Sequence, residues 1–218
     1  MSWAERILDL LFPPKCPFCS RVLDRPGICP KCREDLSWTG EQEGLWKLSG
    51  GLRCAAPLWY REQVRQGLLG LKFHGAAGAA EPLGALVAQW AGERLSGEFD
   101  VVTWVPVSRR RRRKRGYDQA ELLARAACRV WGTRPERLLE KFRDNPPQSG
   151  MGERRARQDN VRGVYRPVSD IQGRRILLID DICTTGATLE ECAGVLWDSG
   201  AENVVCAVVA RTPRNDQN

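Results

Sequence analysis

Residues 176–189 read Ile-Leu-Leu-Ile-Asp-Asp-Ile-Cys-Thr-Thr-Gly-Ala-Thr-Leu, and this stretch decides the fold of the chain. Its four leading apolar residues predict a buried β-strand that ends at two adjacent carboxylates, Asp180 and Asp181. A polar turn follows, and the apolar residues of 187–197 then predict a helix that is terminated by Gly200. A strand, a polar turn and a helix in this order are typical of α/β proteins, whose ligands lie at the carboxyl ends of the strands.

The same alternation of strands and helices continues on both sides of this stretch. Further buried strands are predicted at residues 100–105 and 203–210, and further helices at residues 62–73, 82–95 and 118–130. Because strands alternate with helices, we expect an α/β fold with a mostly parallel sheet flanked by helices.

The turn after the two carboxylates is suited to a sugar phosphate. A helix N-terminus offers free N–H groups and a positive dipole to an anion, and Gly186 lets the backbone approach closely. Three threonines add hydroxyl donors, namely Thr184, Thr185 and Thr188. The acidic pair would repel a phosphate alone. A ribose phosphate also brings hydroxyls, which can donate hydrogen bonds to Asp180 and Asp181. The alternative is a generic strand–turn–helix in which these side chains are only capping groups.

Two Cys-x2-Cys pairs, separated by nine residues, predict a zinc site near the N-terminus. The four cysteines are Cys16, Cys19, Cys29 and Cys32. Two such turns close a tetrahedral site, and four thiolates leave no open coordination position, so the zinc would be structural. Metal binding would then supply the folding energy of a unit too small for its own core. The alternative is four buried or redox-active thiols.

Composition and charge favour a globular protein with an anionic partner. The 218 residues contain 34 basic and 27 acidic side chains, a net charge of +7. No apolar run reaches the roughly 18 residues of a membrane span, and the N-terminus lacks the pattern of a signal peptide. Nine cysteines without an export signal argue against a disulfide framework. We therefore expect a cytoplasmic protein.

The chain divides into two predicted domains. Residues 1–56 comprise an amphipathic N-terminal helix and the four-cysteine knuckle, and residues 57–218 comprise the α/β domain. A polar connection at residues 41–51 separates the two, and the sequence does not indicate an oligomeric state.

The stretch at residues 176–189 resembles the phosphoribosyl diphosphate (PRPP) signature of type I phosphoribosyltransferases. The resemblance implies that Asp180 and Asp181 hold the ribose and that the turn holds the 5-phosphate. The implied turn residues are Thr184, Thr185, Gly186, Ala187 and Thr188. It further implies a diphosphate loop at residues 105–109, where Val107, Ser108 and Arg109 bind the diphosphate with its Mg²⁺.

The same resemblance implies a mobile loop at residues 148–164 that closes over the substrate and excludes water. Arg154 and Arg155 in this loop would neutralise the leaving diphosphate. Asp180, Asp181 and Arg109 are then the expected catalytic residues. An ordinary solvated loop is the alternative for residues 148–164.

The order of parts along the whole chain resembles the ComF (ComFC- and GntX-like) family. These parts are the knuckle, Leu71-Lys-Phe-His-Gly75, the basic segment ending in Arg115-Gly-Tyr-Asp-Gln119, and the PRPP loop. The usual Arg-Gly-Phe-Asn-Gln of the family is altered here at two positions. The resemblance implies a role in natural transformation on the cytoplasmic side, with single-stranded DNA and competence-machinery proteins as partners.

Seven consecutive basic residues at Arg109–Arg115 are a candidate site for DNA phosphates. Beyond Arg109, the candidate nucleic-acid residues are Arg110, Arg111, Arg112, Arg113, Lys114 and Arg115. The alternatives are a solvated surface segment or a role with the PRPP diphosphate alone.

Three functions remain open from sequence. The first is an enzyme that transfers phosphoribose from PRPP to an acceptor that the sequence does not identify. The second is a module that senses PRPP or binds single-stranded DNA, and the third is a regulator that binds RNA or a repressor. Only residues 211–218 follow the last strand, so residues 61–95 would have to form any hood over an acceptor.

Overall fold

The structure is a computed structural model, and it describes residues 13–73, 77–143 and 163–213. The helices are α1 (Pro30–Asp35), α2 (Glu62–Phe73), α3 (Ala80–Arg94), α4 (Arg109–Arg115), α5 (Gln119–Val130) and α6 (Ala187–Asp198). The strands are β1 (Leu45–Lys47), β2 (Arg53–Ala55), β3 (Leu58–Trp59), β4 (Val101–Trp104), β5 (Leu139–Lys141), β6 (Tyr165–Pro167), β7 (Arg175–Cys183) and β8 (Asn203–Arg211).

A six-stranded sheet forms the centre of the molecule, in the order β1-β2-β8-β7-β4, with β3 also pairing with β8. Strands β2, β3 and β7 run parallel to β8, and β4 runs parallel to β7, whereas β1 is antiparallel to β2. The expected mostly parallel α/β fold is confirmed. Because β4, β7 and β8 are parallel, their carboxyl ends meet at one edge of the sheet.

The sheet carries a separate apolar core on each face, as the alternation of side chains along its strands requires. On one face, Leu177 and Ile179 pack with α2, α3, α5 and the cysteine-rich segment. On the other face, Ile176 and Leu178 pack with α6 and with the antiparallel pair β5–β6. Both faces of β7 are thus buried, which explains its continuous run of apolar residues.

The sequence located the long elements well but did not indicate the short strands β1, β2, β5 and β6. The predicted helices appear as α2, α3, α5 and α6, each with ends within two residues of the prediction. The prediction that β7 ends at residue 179 is wrong, because Ile182 and Cys183 still pair with Ala210 and Arg211 of β8. The basic run is a short helix, α4, which begins after the capping hydroxyl of Ser108.

The polar connection at residues 41–51 contains strand β1 and leads into β2. Strand β2 pairs with β8 through Cys54 and Cys206, so the main sheet includes residues on both sides of position 56. Backbone hydrogen bonds of Thr39 with Pro57 and of Trp59 with Ser37 tie the cysteine-rich segment to β3. The division of the chain at residue 56 stays a prediction. The expected N-terminal helix lies outside the described residues.

Among the described residues, no helix combines the length and the apolar character that crossing a bilayer requires.

Helices α3 and α5 pack closely against each other at Gly84. A Cβ atom at this position would lie 2.5 Å from the Cβ atom of Ala126 and 2.6 Å from the backbone oxygen of Leu123. Since a backbone atom cannot move aside as a flexible side chain can, only glycine fits there.

We expect Gly84→Ala to destabilise the chain by about 2–3 kcal/mol, because it overpacks a site with a rigid neighbour. The matched control is Gly92→Ala on the same helix, where the new Cβ would lie 3.6 Å from Nε1 of Trp131. This change should stabilise the chain by about 0.5–1 kcal/mol, since alanine restricts the unfolded backbone. Urea unfolding of both variants measures the difference, and equal stabilities would contradict the packing.

Candidate functional site

The four predicted zinc ligands lie together at two tight turns. Their Sγ atoms are all within 4.8 Å of one another, and those of Cys19 and Cys29 are 3.7 Å apart. Zinc with Zn–S bonds of about 2.3 Å sets neighbouring sulfurs about 3.8 Å apart, so this donor set fits structural zinc. The ligands are Cys16, Cys19, Cys29 and Cys32. The described residues contain one such cluster, and the other five cysteines are buried elsewhere in the molecule.

The backbone around the first turn favours the ligating form of its cysteine. Burial opposes ionisation of the Cys16 thiol, but hydrogen bonds from the backbone of Cys29, Phe18 and Cys19 outweigh it and lower its pKa to about 7. The thiolate is the form that binds a metal. The fold therefore prepares this sulfur for zinc.

The zinc turn packs directly on helix α2. A Cβ atom at Gly67 would lie 2.8 Å from the backbone oxygen of Pro17 and 2.8 Å from Cδ1 of Phe18. Both residues lie between the ligands Cys16 and Cys19, and Phe18 is buried in the core of the sheet face that α2 covers. The cysteine-rich segment therefore fixes the position of α2.

The acidic pair lies inside β7, near its carboxyl end. Successive residues of a strand point to opposite faces, and the surroundings of the two carboxylates follow this rule. Asp181 pairs with Lys72 of α2, where Nζ lies 2.6 Å from Oδ2. Burial raises the pKa values of Tyr165 in β6 and Cys192 in α6, and the charge of Asp180 raises them further, as it does the pKa of Lys72. A ligand that binds both acids has to lie across the end of the strand.

Both carboxylates are almost fully buried, at 8% exposure for Asp180 and 3% for Asp181. Burial, together with the neighbouring negative charge of Asp181, holds the pKa of Asp180 well above its usual range. Oδ1 of Asp180 accepts the backbone N–H of Asp181 at 2.8 Å. Burial lowers the pKa of Lys72, but the opposing attraction of Asp181 is stronger, and the pKa is raised overall. Lys72 is therefore a fixed cation at this site.

The turn between β7 and α6 places Gly186 at the N-terminus of the helix. Gly186 caps α6 with φ 88°, a conformation that side chains disfavour. Oγ1 of Thr185 accepts the N–H of Ala187 at 3.3 Å, and Thr184 is exposed. The helix N-terminus with these hydroxyls is a suitable site for a phosphate.

A segment that sequence analysis did not assign to the site covers part of this turn. A Cβ atom at Gly186 would lie 2.6 Å from Cδ2 of Leu48, which lies just after β1. The neighbouring Ser49 donates its N–H to Oε1 of Glu190 in α6 at 2.8 Å. Gly186 is thus needed for close approach as well as for its φ angle.

The predicted diphosphate loop leaves the sheet next to the acidic pair. The N–H of Val105 donates to the carbonyl of Ile179 at 2.9 Å, so the residues that follow lie beside Asp180 on the adjacent strand. Asp118 holds this loop, because its Oδ2 accepts the N–H of Val107 at 2.9 Å. Its other oxygen, Oδ1, caps helix α5.

Helix α4 carries exposed cations beside the β5–β6 pair. Glu140 joins the two elements, since it contacts Arg109 of α4 at 3.8 Å and accepts from Nε of Arg166 at 2.6 Å. These arginines, Arg166 most strongly, lower the pKa of Glu140. A small groove of about 190 Å³ lies between the elements, below the roughly 300–1,000 Å³ of typical small-ligand sites. Its lining comprises Ser108, Arg109, Arg110, Glu140, Lys141, Phe142, Arg143 and Arg166.

The structure brings the predicted PRPP residues of β7, the turn and the diphosphate loop to one edge of the sheet. Arg154 and Arg155 lie outside the described residues. Sequence analysis gave Lys72, Leu48 and Glu140 no role. For Lys72 a signal was present, because a lysine interrupts the apolar run of residues 68–73.

Residues 7–43 match the profile of the double zinc ribbon domain, and residues 114–217 match that of the phosphoribosyl transferase domain. The chain is similar to the DNA utilization protein YhgH of Salmonella typhimurium, with 27% identity over 90% of each chain. It is also similar to the competence protein ComFC of Streptococcus pneumoniae, with 28% identity over 87% of this chain and 84% of that protein.

Among solved structures, phosphoribosylpyrophosphate synthetase from Mycobacterium smegmatis is 19% identical to the chain, with a TM-score of 0.37. That match covers 60% of this chain and 33% of the synthetase, so the chain spans about a third of its length.

We expect Asp180→Asn to stabilise the chain at pH 8, because burial next to Asp181 disfavours the charged carboxylate in the folded chain. A raised pKa means that the folded chain loses stability as the pH rises through the raised value, and asparagine removes that loss. The gain should be smaller at pH 5. Thermal unfolding at both pH values tests this, and a variant less stable than the parent at pH 8 would contradict it.

Proposed function

Because the chain is a homologue of competence protein ComFC and DNA utilization protein YhgH that joins a zinc ribbon to a phosphoribosyl transferase domain, we propose that it binds PRPP and acts on DNA during uptake or use. In this proposal it is a cytoplasmic phosphoribosyltransferase-like protein that serves natural competence. Its zinc is structural and holds the N-terminal segment together.

The observation that carries the proposal is the convergence of three elements at one edge of the sheet. The acidic pair, the turn at residues 184–188 and the diphosphate loop at residues 105–109 come from adjacent parallel strands. Together they offer carboxylates for ribose hydroxyls, a helix N-terminus for one phosphate, and a basic loop for a diphosphate.

Each group of residues then has one role. Asp180 and Asp181 accept hydrogen bonds from a ribose ring that lies across the end of β7. The turn binds the 5-phosphate through Thr184, Thr185, Gly186, Ala187 and Thr188. Val107 and Ser108 hold the diphosphate with Arg109, whose side chain is 84% exposed and free to reorient.

As an enzyme, the chain would bring an acceptor to the anomeric carbon of the ribose. The acceptor's electron pair forms the new bond with inversion, while the carbon–oxygen bond to diphosphate breaks and its electron pair leaves with the diphosphate. The task of this chain's residues is to hold the ring and the two phosphate ends in line, and to stabilise charge on the departing group. Arg154 and Arg155 would add to that charge stabilisation.

Magnesium would neutralise charge on the diphosphate. The ion prefers oxygen ligands and usually keeps waters and substrate phosphates rather than a protein cage. At this edge one of the two carboxylates is already paired with an ammonium group. The residues present therefore fit a metal ion that is carried by the ligand's own diphosphate.

We expect PRPP with Mg²⁺ to bind with measurable heat by calorimetry, and Asp180→Asn/Asp181→Asn to abolish that heat. Asp198→Asn, an exposed carboxylate at the far end of α6, is the matched control and should bind as the parent does. Failure of the parent chain to bind PRPP or ribose 5-phosphate would contradict the proposal.

An assay of diphosphate release by the same protein distinguishes an enzyme from a sensor. Release of diphosphate from PRPP across a panel of bases and amines, lost in the double variant, supports transfer chemistry. Tight binding without release supports a module that senses PRPP.

A second candidate function, binding of single-stranded DNA, is supported by helix α4 and the groove beside it. Residues 109–114 of α4 are exposed, and Phe142 at the rim of the groove is 42% exposed. The guanidinium carbons of Arg143 and Arg166 lie 5.2 and 5.4 Å from its ring centre. Cations beside an exposed ring are the combination that binds phosphates and stacks bases.

For this function we expect four changes to glutamine in α4, at Arg110, Arg111, Arg113 and Lys114, to lower the salt dependence of binding to oligothymidine. The slope of log K against log salt should fall by about 0.7 for each lost phosphate contact. Arg129→Gln/Arg134→Gln, at exposed positions at or beyond the other end of α5, is the control. An unchanged slope in the α4 variant removes the DNA role of this helix.

A further inference from the structure

Lys72 is a cation in direct contact with the acidic pair, and the roles described above do not use it. Its Nζ atom lies 2.6 Å from Oδ2 of Asp181, and its side chain is 22% exposed. It belongs to the last turn of α2, part of the segment at residues 61–95. The contact therefore joins that segment to the ribose end of the proposed site.

The lysine is held by its surroundings, so the contact is not that of a loose surface chain. Its neighbour Leu71 is fully buried, and the carbonyl of Leu71 accepts the hydroxyl of Tyr117 at 2.5 Å. Tyr117 precedes Asp118, which holds the diphosphate loop through Val107. A continuous series of contacts thus runs from the diphosphate loop through Tyr117 and Lys72 to Asp181.

The two carboxylates at this edge oppose the binding of an anionic ligand, and the positive charge of Lys72 can offset that repulsion. A sugar that carries both a phosphate and a diphosphate is a polyanion, and two buried carboxylates repel it at short range. Screening by water is weak at groups only 8% and 3% exposed. A fixed ammonium group against one carboxylate removes much of that repulsion.

We propose that Lys72 is the internal counter-ion of Asp180 and Asp181 and determines specificity for multiply phosphorylated ribose. The proposal rests on the proposed binding of ribose phosphates at this site. Lys72 acts as a positioning residue, because it works through the charge and orientation of Asp181.

The first test measures how the effect of Lys72→Met depends on ligand charge. We expect the dissociation constant for PRPP with Mg²⁺ to rise about tenfold or more, and that for ribose 5-phosphate to rise less. Binding of uncharged ribose, followed by saturation-transfer NMR, should change by less than about twofold. Equal weakening of all three ligands would mean a structural role and would overturn the proposal.

The second test measures how PRPP binding depends on pH. At each pH, the dissociation constant of Lys72→Met is divided by that of the parent chain. The ratio cancels the titration of the ligand itself. Without the ammonium group, protonation of the buried Asp180 becomes easier, so the ratio should fall towards one as the pH is lowered. The titratable groups around the pair are Lys72 and Tyr60 on one side, and Tyr165 and Cys192, on which Asp180 acts, on the other. A ratio independent of pH would contradict the counter-ion.

Three further variants control for folding and for charge in general. Lys72→Arg keeps the charge and should restore most of the PRPP affinity. Arg65→Met removes an exposed cation from the same helix and should bind as the parent does. Lys72→Met/Asp181→Asn removes both charges, so it should fold even if the single variant does not, and should lose the pH dependence.

The outcomes separate this inference from the proposed function. If the parent chain fails to bind PRPP and ribose 5-phosphate, the proposed function fails and the inference with it. If the parent binds and Lys72→Met binds PRPP equally or more tightly, the site is PRPP-specific but Lys72 is not its counter-ion.

Discussion

The parallel pairing of β4, β7 and β8 is the constraint on which the rest of the structure depends. Parallel strands need crossover connections, and all their carboxyl ends point to one edge. The diphosphate loop after β4 and the threonine turn after β7 are therefore neighbours, although they are far apart in the sequence. The short backbone bond from Val105 to Ile179 extends this pairing up to the point where the loop leaves the sheet.

Three glycines show how the other parts of the molecule are brought against this sheet. Gly67 lets the zinc turn lie on α2, Gly84 lets α3 lie on α5, and Gly186 admits Leu48 at the ligand turn. At each position a methyl group would come within 3 Å of a neighbour. The zinc ribbon and the β1 segment are thus packed on the α/β domain through contacts that leave no room for a side chain.

The charged groups at this edge of the sheet do not stabilise the fold in the way that the apolar core does. A buried ion pair such as Lys72–Asp181 is weak evidence for stability, because desolvation cancels much of its attraction. Burial of Asp180 with a raised pKa has an unfavourable effect on folding at neutral pH. Groups that are retained despite such a cost are typical of sites that bind or transform a ligand.

The elements with long apolar periods, the four zinc ligands and the acid–threonine–glycine turn could be predicted from the sequence by itself, because each is encoded by residues that are close together in the chain. The sequence did not determine the end of β7 or the strands β1 and β2, since these depend on pairing with β8, which lies far away in the sequence. Only the tertiary structure could decide that Lys72 meets Asp181, more than a hundred residues later, and that Leu48 covers Gly186. Such contacts follow from how helices and loops pack on the sheet, and local spacing carries no record of that packing.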